Sequence, residues 1–263
     1  MVDLKSLFPS DEAPMRVVGF MSGTGTNLRK LIEYQILLEY KGESPFKVIG
    51  IFSDNWQSKA AEIGKDYDLP VVIRDISSFY RKRDKQKKDL SLRIEFDKRT
   101  VKVLSPFKAH VAAYGGYMSI VTKPLIDAFL GINVHPADLS IIGKDGKRKY
   151  VGDHGVRDAI LSGEKTIASS THIIEEEVDE GRILMISKPL KVEIESGFNF
   201  EDQKSIKRIS EFYQSKLKEY GDWEVFPKTI EYIARRRFKV DLRGMIYFDE
   251  KPIPNGIYLE EIK

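Results

Sequence analysis

The sequence predicts an α/β fold: a Rossmann-like, mainly parallel twisted sheet with helices on both faces, followed by a small C-terminal α+β tail. From Met15 onward, short runs rich in β-branched residues alternate with longer segments of helical period. This alternation is typical of successive βαβ units. Several of the short runs are apolar throughout, as expected for strands that are covered on both faces.

The first βαβ unit has the clearest pattern. RVVGF at 16–20 predicts a strand, and Leu28, Leu31, Ile32 and Ile36 then recur at helical spacing. Further strands are predicted at 46–52, 70–75, 109–115 and 131–135, and further helices at 58–66, at 87–104 and from Pro124.

The last hundred residues have a different pattern. Strand-like runs at 166–174 and 182–190 suggest an edge hairpin, and helices are predicted at 201–219 and 222–235. The Asn-Gly pair within 238–259 then suggests a terminal hairpin. The simplest partition is an N-terminal arm at 1–14, a catalytic domain at 15–195, and C-terminal helices and a hairpin at 196–263 that pack on the same domain.

Composition limits the classes of function. The chain has 263 residues, is 41% hydrophobic, and carries 43 Lys+Arg against 40 Asp+Glu. A charge this close to balance does not favour a general polyanion binder, so nucleic acid is an unexpected partner. Cysteine is absent, which agrees with a reducing compartment. The first residues lack the apolar run of a signal peptide or an anchor, so we expect a cytoplasmic protein without membrane contact.

A glycine-rich segment, SGTGTN at 22–27, follows the first strand and opens the first helix. Free backbone N–H groups and the helix dipole favour an anion there, with Gly25, Thr26 and Asn27 as candidate phosphate ligands. A capped turn without a ligand explains the same residues equally well. Because Leu28 occupies the third glycine position of the dinucleotide motif, a nicotinamide cofactor is disfavoured.

A second motif, INVHPADL at 132–139, places Asn133 and His135 on the same side of a strand end. Such a pair at the carboxyl edge of a sheet can polarise a carbonyl group. Asp179, in EEEVDEGRI, lies in an acidic turn that by itself indicates a solvated loop. Four histidines without cysteine do not suggest a metal site, so none is expected.

Taken in order, five segments carry a resemblance. They are SGTGTNL, GGYMSIV, NVHPADL, the stretch from GDHG to THIIEEEVDEG, and FDEKPIPNG. Together they resemble the folate-dependent formyltransferase family, in particular its members that act on glycinamide ribonucleotide. The resemblance extends from about Met15 to Tyr258. It implies transfer of a formyl group from 10-formyltetrahydrofolate, a co-substrate, to the primary amine of glycinamide ribonucleotide in de novo purine biosynthesis.

The resemblance also implies roles for individual residues. Asn133, His135 and Asp179 correspond to the catalytic set, and the glycine-rich turn corresponds to the substrate phosphate site. Asp222 occupies the place of a glutamate that holds the amine substrate. The remaining implied positions are folate-binding Met118, Ser119, Ile120, Val121, Glu175 and Glu176, with His154, His172 and Gly152 near the active site.

The chain departs from the family pattern at several further places. Ser119 stands where the family usually has arginine, and Glu180 replaces the first glycine after Asp179. An added basic segment contains Lys144, Lys147, Arg148 and Lys149. Because it is tethered to the strand end that carries His135, we expect a mobile lid that attracts anionic substrates. A second basic run, RKRDKQKK at 81–88, is expected to be a solvated loop.

The reaction requires stabilisation of a tetrahedral oxyanion and removal of a proton from the attacking amine. We expect Asp179 to raise the pKa of His135 above its usual value of about 6.5, so that an imidazolium can face the oxyanion. Asp179 could also relay the proton through water. Three alternatives stay open: another amine, such as that of a sugar nucleotide or an aminoacyl-tRNA; hydrolysis of 10-formyltetrahydrofolate; and a non-catalytic folate- or nucleotide-binding module.

Overall fold

The computed structural model describes residues 3–9, 11–86 and 89–262, and the predicted α/β architecture is confirmed. The strands, in chain order, are β1 (Lys5–Ser6), β2 (Met15–Met21), β3 (Phe46–Ser53), β4 (Val71–Ile73), β5 (Val111–Tyr114), β6 (Leu130–His135), β7 (Thr166–Ile167), β8 (Ser170–Ile173), β9 (Ile183–Ile186), β10 (Leu190–Lys191), β11 (Phe238–Val240), β12 (Ile246–Phe248), β13 (Lys251–Pro252) and β14 (Ile257–Tyr258). The α-helices are α1 (Thr26–Tyr40), α2 (Ala60–Asp66), α3 (Ile76–Arg81), α4 (Leu90–Leu104), α5 (Lys123–Ala128), α6 (Gly155–Leu161), α7 (Gln203–Leu217) and α8 (Trp223–Ala234).

The central sheet has eight strands in the order β14-β9-β8-β6-β5-β2-β3-β4. The five strands from β6 to β4 are all parallel, whereas β8 runs antiparallel to both β6 and β9. The carboxyl ends of β2, β3, β5 and β6 therefore meet at one edge. Loops that follow parallel strands at such an edge commonly form a ligand site.

The central strands are buried on both faces. In β2, Val17 and Met21 belong to one hydrophobic cluster, and Val18 and Phe20 belong to another on the opposite face. This alternation follows from the two-residue period of a strand. The C-terminal helix α8 contributes Phe226 to the first cluster, so the tail and the sheet share a core. The partition at residue 195 stays a prediction.

The predicted C-terminal hairpins need correction. Strands β8 and β9 do form an antiparallel pair, but β14 pairs outside β9, so the hairpin is not at the sheet edge. The Asn255-Gly256 turn connects β13 to β14, which belong to different sheets, and not two paired strands. The second sheet is β1-β11-β12-β13, and it includes the N-terminal arm. Long-range pairing, which local turn residues do not encode, decides all three outcomes.

The predicted helices are present but differ at their ends, and α3 was not predicted. Helix α4 begins at Leu90 because the side chain of Asp89 accepts hydrogen bonds from the Ser91 and Leu92 amides. Lys87 and Lys88, with which the predicted helix began, lie outside the described residues. A π-helical turn, Lys218–Asp222, joins α7 to α8. In the part of the chain that the structure describes, no helix is long and apolar enough to cross a membrane.

Candidate active site

Asn133 and His135 lie at the carboxyl end of β6, as predicted. The antiparallel neighbour β8 places His172 directly across from Asn133 and Ser170 across from His135. His135 is 5% exposed, whereas Asn133 is half-buried. The strand end therefore presents one accessible amide beside one buried imidazole.

Asp179 lies in the turn between β8 and β9 and reaches the same strand end. Its Oδ2 is 3.4 Å from His135 Nδ1 and accepts a hydrogen bond of 2.8 Å from the Gly152 amide. The turn approaches β8 so closely that a Cβ at Gly181 would lie 1.8 Å from the Ile173 carbonyl oxygen. Glycine at that position lets the turn bring Asp179 to the two histidines. The structure thus places the three residues of the predicted catalytic set together.

His172 is central to this cluster, although the sequence indicated only that it lies nearby. Its Nδ1 donates to the Ile173 carbonyl at 2.9 Å, so its Nε2 accepts from Asn133 Nδ2 at 3.1 Å. The same Nε2 is 3.4 Å from Asp179 Oδ1. Asp179 is therefore flanked by two histidines. Because an amide nitrogen carries two hydrogens, Asn133 keeps one donor for another oxygen.

The electrostatics of the cluster differ from the prediction. Burial opposes ionisation of Asp179, but the adjacent imidazoles of His172 and His135 and the Gly152 amide together lower its pKa to about 2. Burial also lowers the pKa of His135, and this outweighs the opposing effect of Asp179. The expectation of a raised His135 pKa is therefore wrong. Its Nε2 donates to the Tyr150 carbonyl at 2.9 Å, a contact that a neutral imidazole can make.

The glycine-rich segment forms the predicted turn into a helix. Gly25 precedes α1 with φ of 68°, a left-handed conformation that favours glycine. Gly23 and Thr24 are exposed, and Thr26 is half-buried. The first turn of α1 itself contains no acidic residue. The turn is compatible with phosphate, and the phosphate role stays a prediction.

Asn27 has a specific partner in the structure. Its Nδ2 donates to Asp222 Oδ2 at 2.9 Å, while its buried Oδ1 has no hydrogen-bond partner. The free polar atom of this side chain is therefore an acceptor, which suits an N–H or O–H group better than a phosphate oxygen. If Asn27 binds the substrate phosphate, it therefore does so through its backbone amide.

Asp222 ends the π-helical turn and is 3% exposed. Ser169 Oγ donates to its Oδ1 at 2.6 Å, opposite the bond from Asn27. Burial raises the pKa of Asp222 in spite of these two hydrogen bonds. Ser169 was not predicted as its partner, because the two residues are far apart in the sequence.

The segment 116–121 contacts the glycine-rich turn. Ser22 Oγ accepts from the Met118 amide at 2.9 Å and donates to Asp54 Oδ1 at 2.6 Å. Ser119 Oγ donates to the other oxygen of Asp54. Ser119, which stands at a usual arginine position, thus uses its side chain within the protein. Asp54 was missed, although it directly follows a parallel strand, which is the signal that identified His135.

The same segment presents apolar side chains to solvent, since Met118 and Ile120 are 68% and 50% exposed. A cavity of about 400 Å³ lies near the start of β6, lined by residues that include Ile126, Gly131, Ile174, Glu175 and Arg182. Asn133 lies two residues beyond Gly131, toward the carboxyl end of the same strand.

The remaining predicted residues are less closely tied to the site. Val121 is half-buried and Glu176 is exposed, while Glu175 lines the cavity and accepts from Arg182 Nε at 2.7 Å. His154 is exposed immediately before α6. Among the contacts of residues 3–9, 11–86 and 89–262, none joins its side chain to the cluster at β6, and its role stays a prediction.

The site is that of an α/β enzyme. A parallel sheet edge carries an amide donor, two imidazoles and an ionised carboxylate, and a glycine-rich turn lies at the same edge. Residues 15–202 match the family model described as "Formyl transferase". The chain belongs to the formyl transferase family, and it is a formyltransferase.

Individual relatives agree with this assignment. The chain is 24% identical over 248 residues to a phosphoribosylglycinamide formyltransferase of Haemophilus influenzae, covering 94% of this chain and 99% of that one. It is 28% identical over 174 residues to one from Mycobacterium tuberculosis, covering 65% and 69%. Glycinamide ribonucleotide transformylase 1 from Symbiobacterium toebii has the same fold, with a TM-score of 0.66, 19% identity and coverage of 89% and 93%.

Proposed function

We propose that this enzyme transfers the formyl group of 10-formyltetrahydrofolate to the primary amine of glycinamide ribonucleotide, in de novo purine biosynthesis. The observation that carries the proposal is the cluster at β6, in which Asn133, His172, Asp179 and His135 are joined by contacts of 3.1 to 3.4 Å. The choice of glycinamide ribonucleotide as the acceptor rests on relatives of similar length that are named phosphoribosylglycinamide formyltransferases.

The cavity and the exposed side chains of 116–121 support a folate site. A pterin is flat and largely apolar, with polar edges, and small-molecule pockets combine an apolar lining with a few polar groups. Ile126 and Ile174 supply apolar surface, and Glu175 supplies a carboxylate. We infer that the formyl-bearing end of the folate faces Asn133, whose free amide hydrogen can reach its carbonyl oxygen.

The turn at 22–27 and the pair Asn27–Asp222 support the amine-substrate site. Exposed backbone at Gly23 and Thr24 suits a phosphate at the start of α1. Asn27 Oδ1 and Asp222 together offer acceptors deeper in the fold. A molecule with a phosphate at one end and N–H or O–H groups at the other matches this arrangement.

The residues of the cluster divide the chemistry. Asn133 stabilises the developing oxyanion by donating a hydrogen bond. His135 assists if the substrate oxygen replaces the Tyr150 carbonyl as the acceptor of its Nε2–H. Asp179, with a pKa of about 2, is a weak base at neutral pH. Its main contribution is therefore a fixed negative charge that stabilises the amine as it becomes positive. In a second step a water carries the proton from the amine to the folate nitrogen, which leaves as its bond to the formyl carbon breaks.

The direct test is release of tetrahydrofolate from 10-formyltetrahydrofolate with glycinamide ribonucleotide as acceptor. The expected result is stoichiometric formation of tetrahydrofolate and formylated amine. Release without any amine would identify a hydrolase, and release only with a sugar-nucleotide amine or an aminoacyl-tRNA would identify another acceptor. Binding of folate without turnover would identify a non-catalytic module.

We also propose a cytoplasmic location, in keeping with small-molecule substrates. The nearly balanced charge of +3 does not favour a nucleic-acid partner. Both stay predictions.

A further inference from the structure

The basic segment after β6 forms a small hairpin. The Gly143 amide donates to the Lys147 carbonyl at 2.7 Å, and the Lys149 amide donates to the Ile141 carbonyl at 3.0 Å. The side chains of Lys144, Lys147 and Lys149 are exposed, and the expected mobility of the segment stays a prediction. Arg148 is half-buried, and burial lowers its pKa in spite of its acidic neighbours.

Three alternate residues of this segment contact the cluster at β6. Arg148 Nη1 donates to the backbone carbonyl of Asp179, and Arg148 Nε lies 3.7 Å from Glu180 Oε2. Two residues further on, the Tyr150 carbonyl accepts from His135 Nε2. Two more residues on, the Gly152 amide donates to Asp179 Oδ2. The segment therefore holds both the backbone and the carboxylate of Asp179.

Asp179 needs such support because its backbone is in the left-handed region, with φ of 56°. Residues other than glycine visit this region infrequently, and they stay in it when the surrounding structure fixes them. A relaxed backbone would move the carboxylate away from His135 and His172. The contact from Arg148 opposes that relaxation directly, because it fixes the carbonyl that would have to rotate.

We propose that Arg148 is a positioning residue for the formyl transfer, which holds the left-handed backbone of Asp179 so that its carboxylate stays between His135 and His172. This inference depends on the proposed function only for its kinetic test. Through Arg148 the inserted segment has a structural role at the reaction centre. The three exposed lysines of the segment have no such role.

The kinetic test compares Arg148→Ala with Lys147→Ala, a matched control that removes the same charge one residue away. For Arg148→Ala we expect kcat to fall at least about tenfold, because small misplacements of catalytic groups cost this much or more. The KM values and the melting temperature should stay close to those of the wild type. Added guanidinium ion should restore part of the lost kcat in Arg148→Ala, and Arg148→Lys should retain part of it.

A second readout needs no substrate. NMR titration of the histidine rings should give a lower His135 pKa in Arg148→Ala than in the wild type, because Asp179 is the neighbour that most strongly raises that pKa. This measurement stands even if the wild type fails to formylate glycinamide ribonucleotide, so it separates the two proposals. An unchanged His135 titration would overturn the inference. So would equal kinetic losses in Arg148→Ala and Lys147→Ala, which would identify a role of overall charge.

Discussion

Two buried carboxylates of this enzyme, Asp179 and Asp222, have opposite electrostatic character. They are 8% and 3% exposed, and His135 contributes a charge interaction to both. Yet the pKa of Asp179 is lowered to about 2, whereas that of Asp222 is raised. Asp179 is flanked by two imidazoles and a backbone amide, while Asp222 has one amide and one hydroxyl as partners.

The difference shows that burial alone does not decide the charge of a carboxyl group. Burial opposes ionisation of both residues, and only groups that can become cationic, together with a well-placed N–H donor, overcome it at Asp179. Asp179 is thus suited to a reaction that needs a permanent negative charge. Asp222 is suited to recognising a substrate through hydrogen bonds.

The comparison predicts that Asp179→Asn has the largest effect on activity. The amide keeps the shape of the side chain but removes the charge that the reaction uses, so we expect kcat to fall by at least about a hundredfold. Steady-state kinetics with both substrates, together with circular dichroism to verify the fold, test this. A folded variant with a near-normal rate would show that the reaction does not need the negative charge of Asp179. The difference in charge between Asp179 and Asp222 would then have no role in the mechanism.

The two carboxylates should also act on stability in opposite pH ranges. Asp179 has a folded pKa of about 2 against an ordinary value of 3.8. Its ionisation therefore contributes about 2 kcal/mol above pH 4, which is lost as pH falls toward 2. For Asp222 the folded pKa is raised, so its contribution is full below 3.8 and is lost as pH rises through the folded value.

Denaturant unfolding of Asp179→Asn, Asp222→Asn and the wild type between pH 3 and 7 measures both contributions. We expect the stability advantage of the wild type over Asp179→Asn to grow with pH, and its advantage over Asp222→Asn to shrink. Parallel curves for the two variants would contradict the assignment of opposite shifts.

A smaller kinetic effect is expected from Asp222→Asn. The amide can still bond to Ser169 and Asn27, so the fold should persist. The amine substrate loses an acceptor remote from the reacting carbon, and its KM should rise about tenfold with little change in the folate KM. Asn27→Ala should raise the same KM. Equal increases in both KM values would mean that this pair does not belong to the amine site.

The smallest effect is expected from the exposed lysines of the basic segment. Replacing Lys144, Lys147 and Lys149 with serine should lower kcat/KM a few-fold at low salt, with less effect at high salt. Such steering is screened over a Debye length of roughly 8 Å at physiological ionic strength. An equal loss of kcat/KM at low and at high salt would exclude steering. A hundredfold loss of kcat/KM would place these lysines at the reaction centre with Arg148.

The sequence predicted the parts of the site that local patterns encode. A strand followed by glycines and a helix indicated the turn at 22–27, and the two-residue period placed Asn133 and His135 on one side of β6. Asp54 follows its strand in the same way and could have been found by the same signal. Ser169 and the Tyr150 carbonyl could not, because each joins the site from a distant element through a contact that no local period encodes.

By itself, the sequence determined the α/β class, the parallel strands and the family, because hydrophobic period and ordered motifs are properties of the chain read in one dimension. The tertiary structure decided which sheet each C-terminal strand joined and how the ionisable groups behave. Both depend on what surrounds a residue in space. The basic segment illustrates the limit: its charge is visible in the sequence, but only the fold turns Arg148 inward to the backbone of Asp179 and leaves three lysines in solvent.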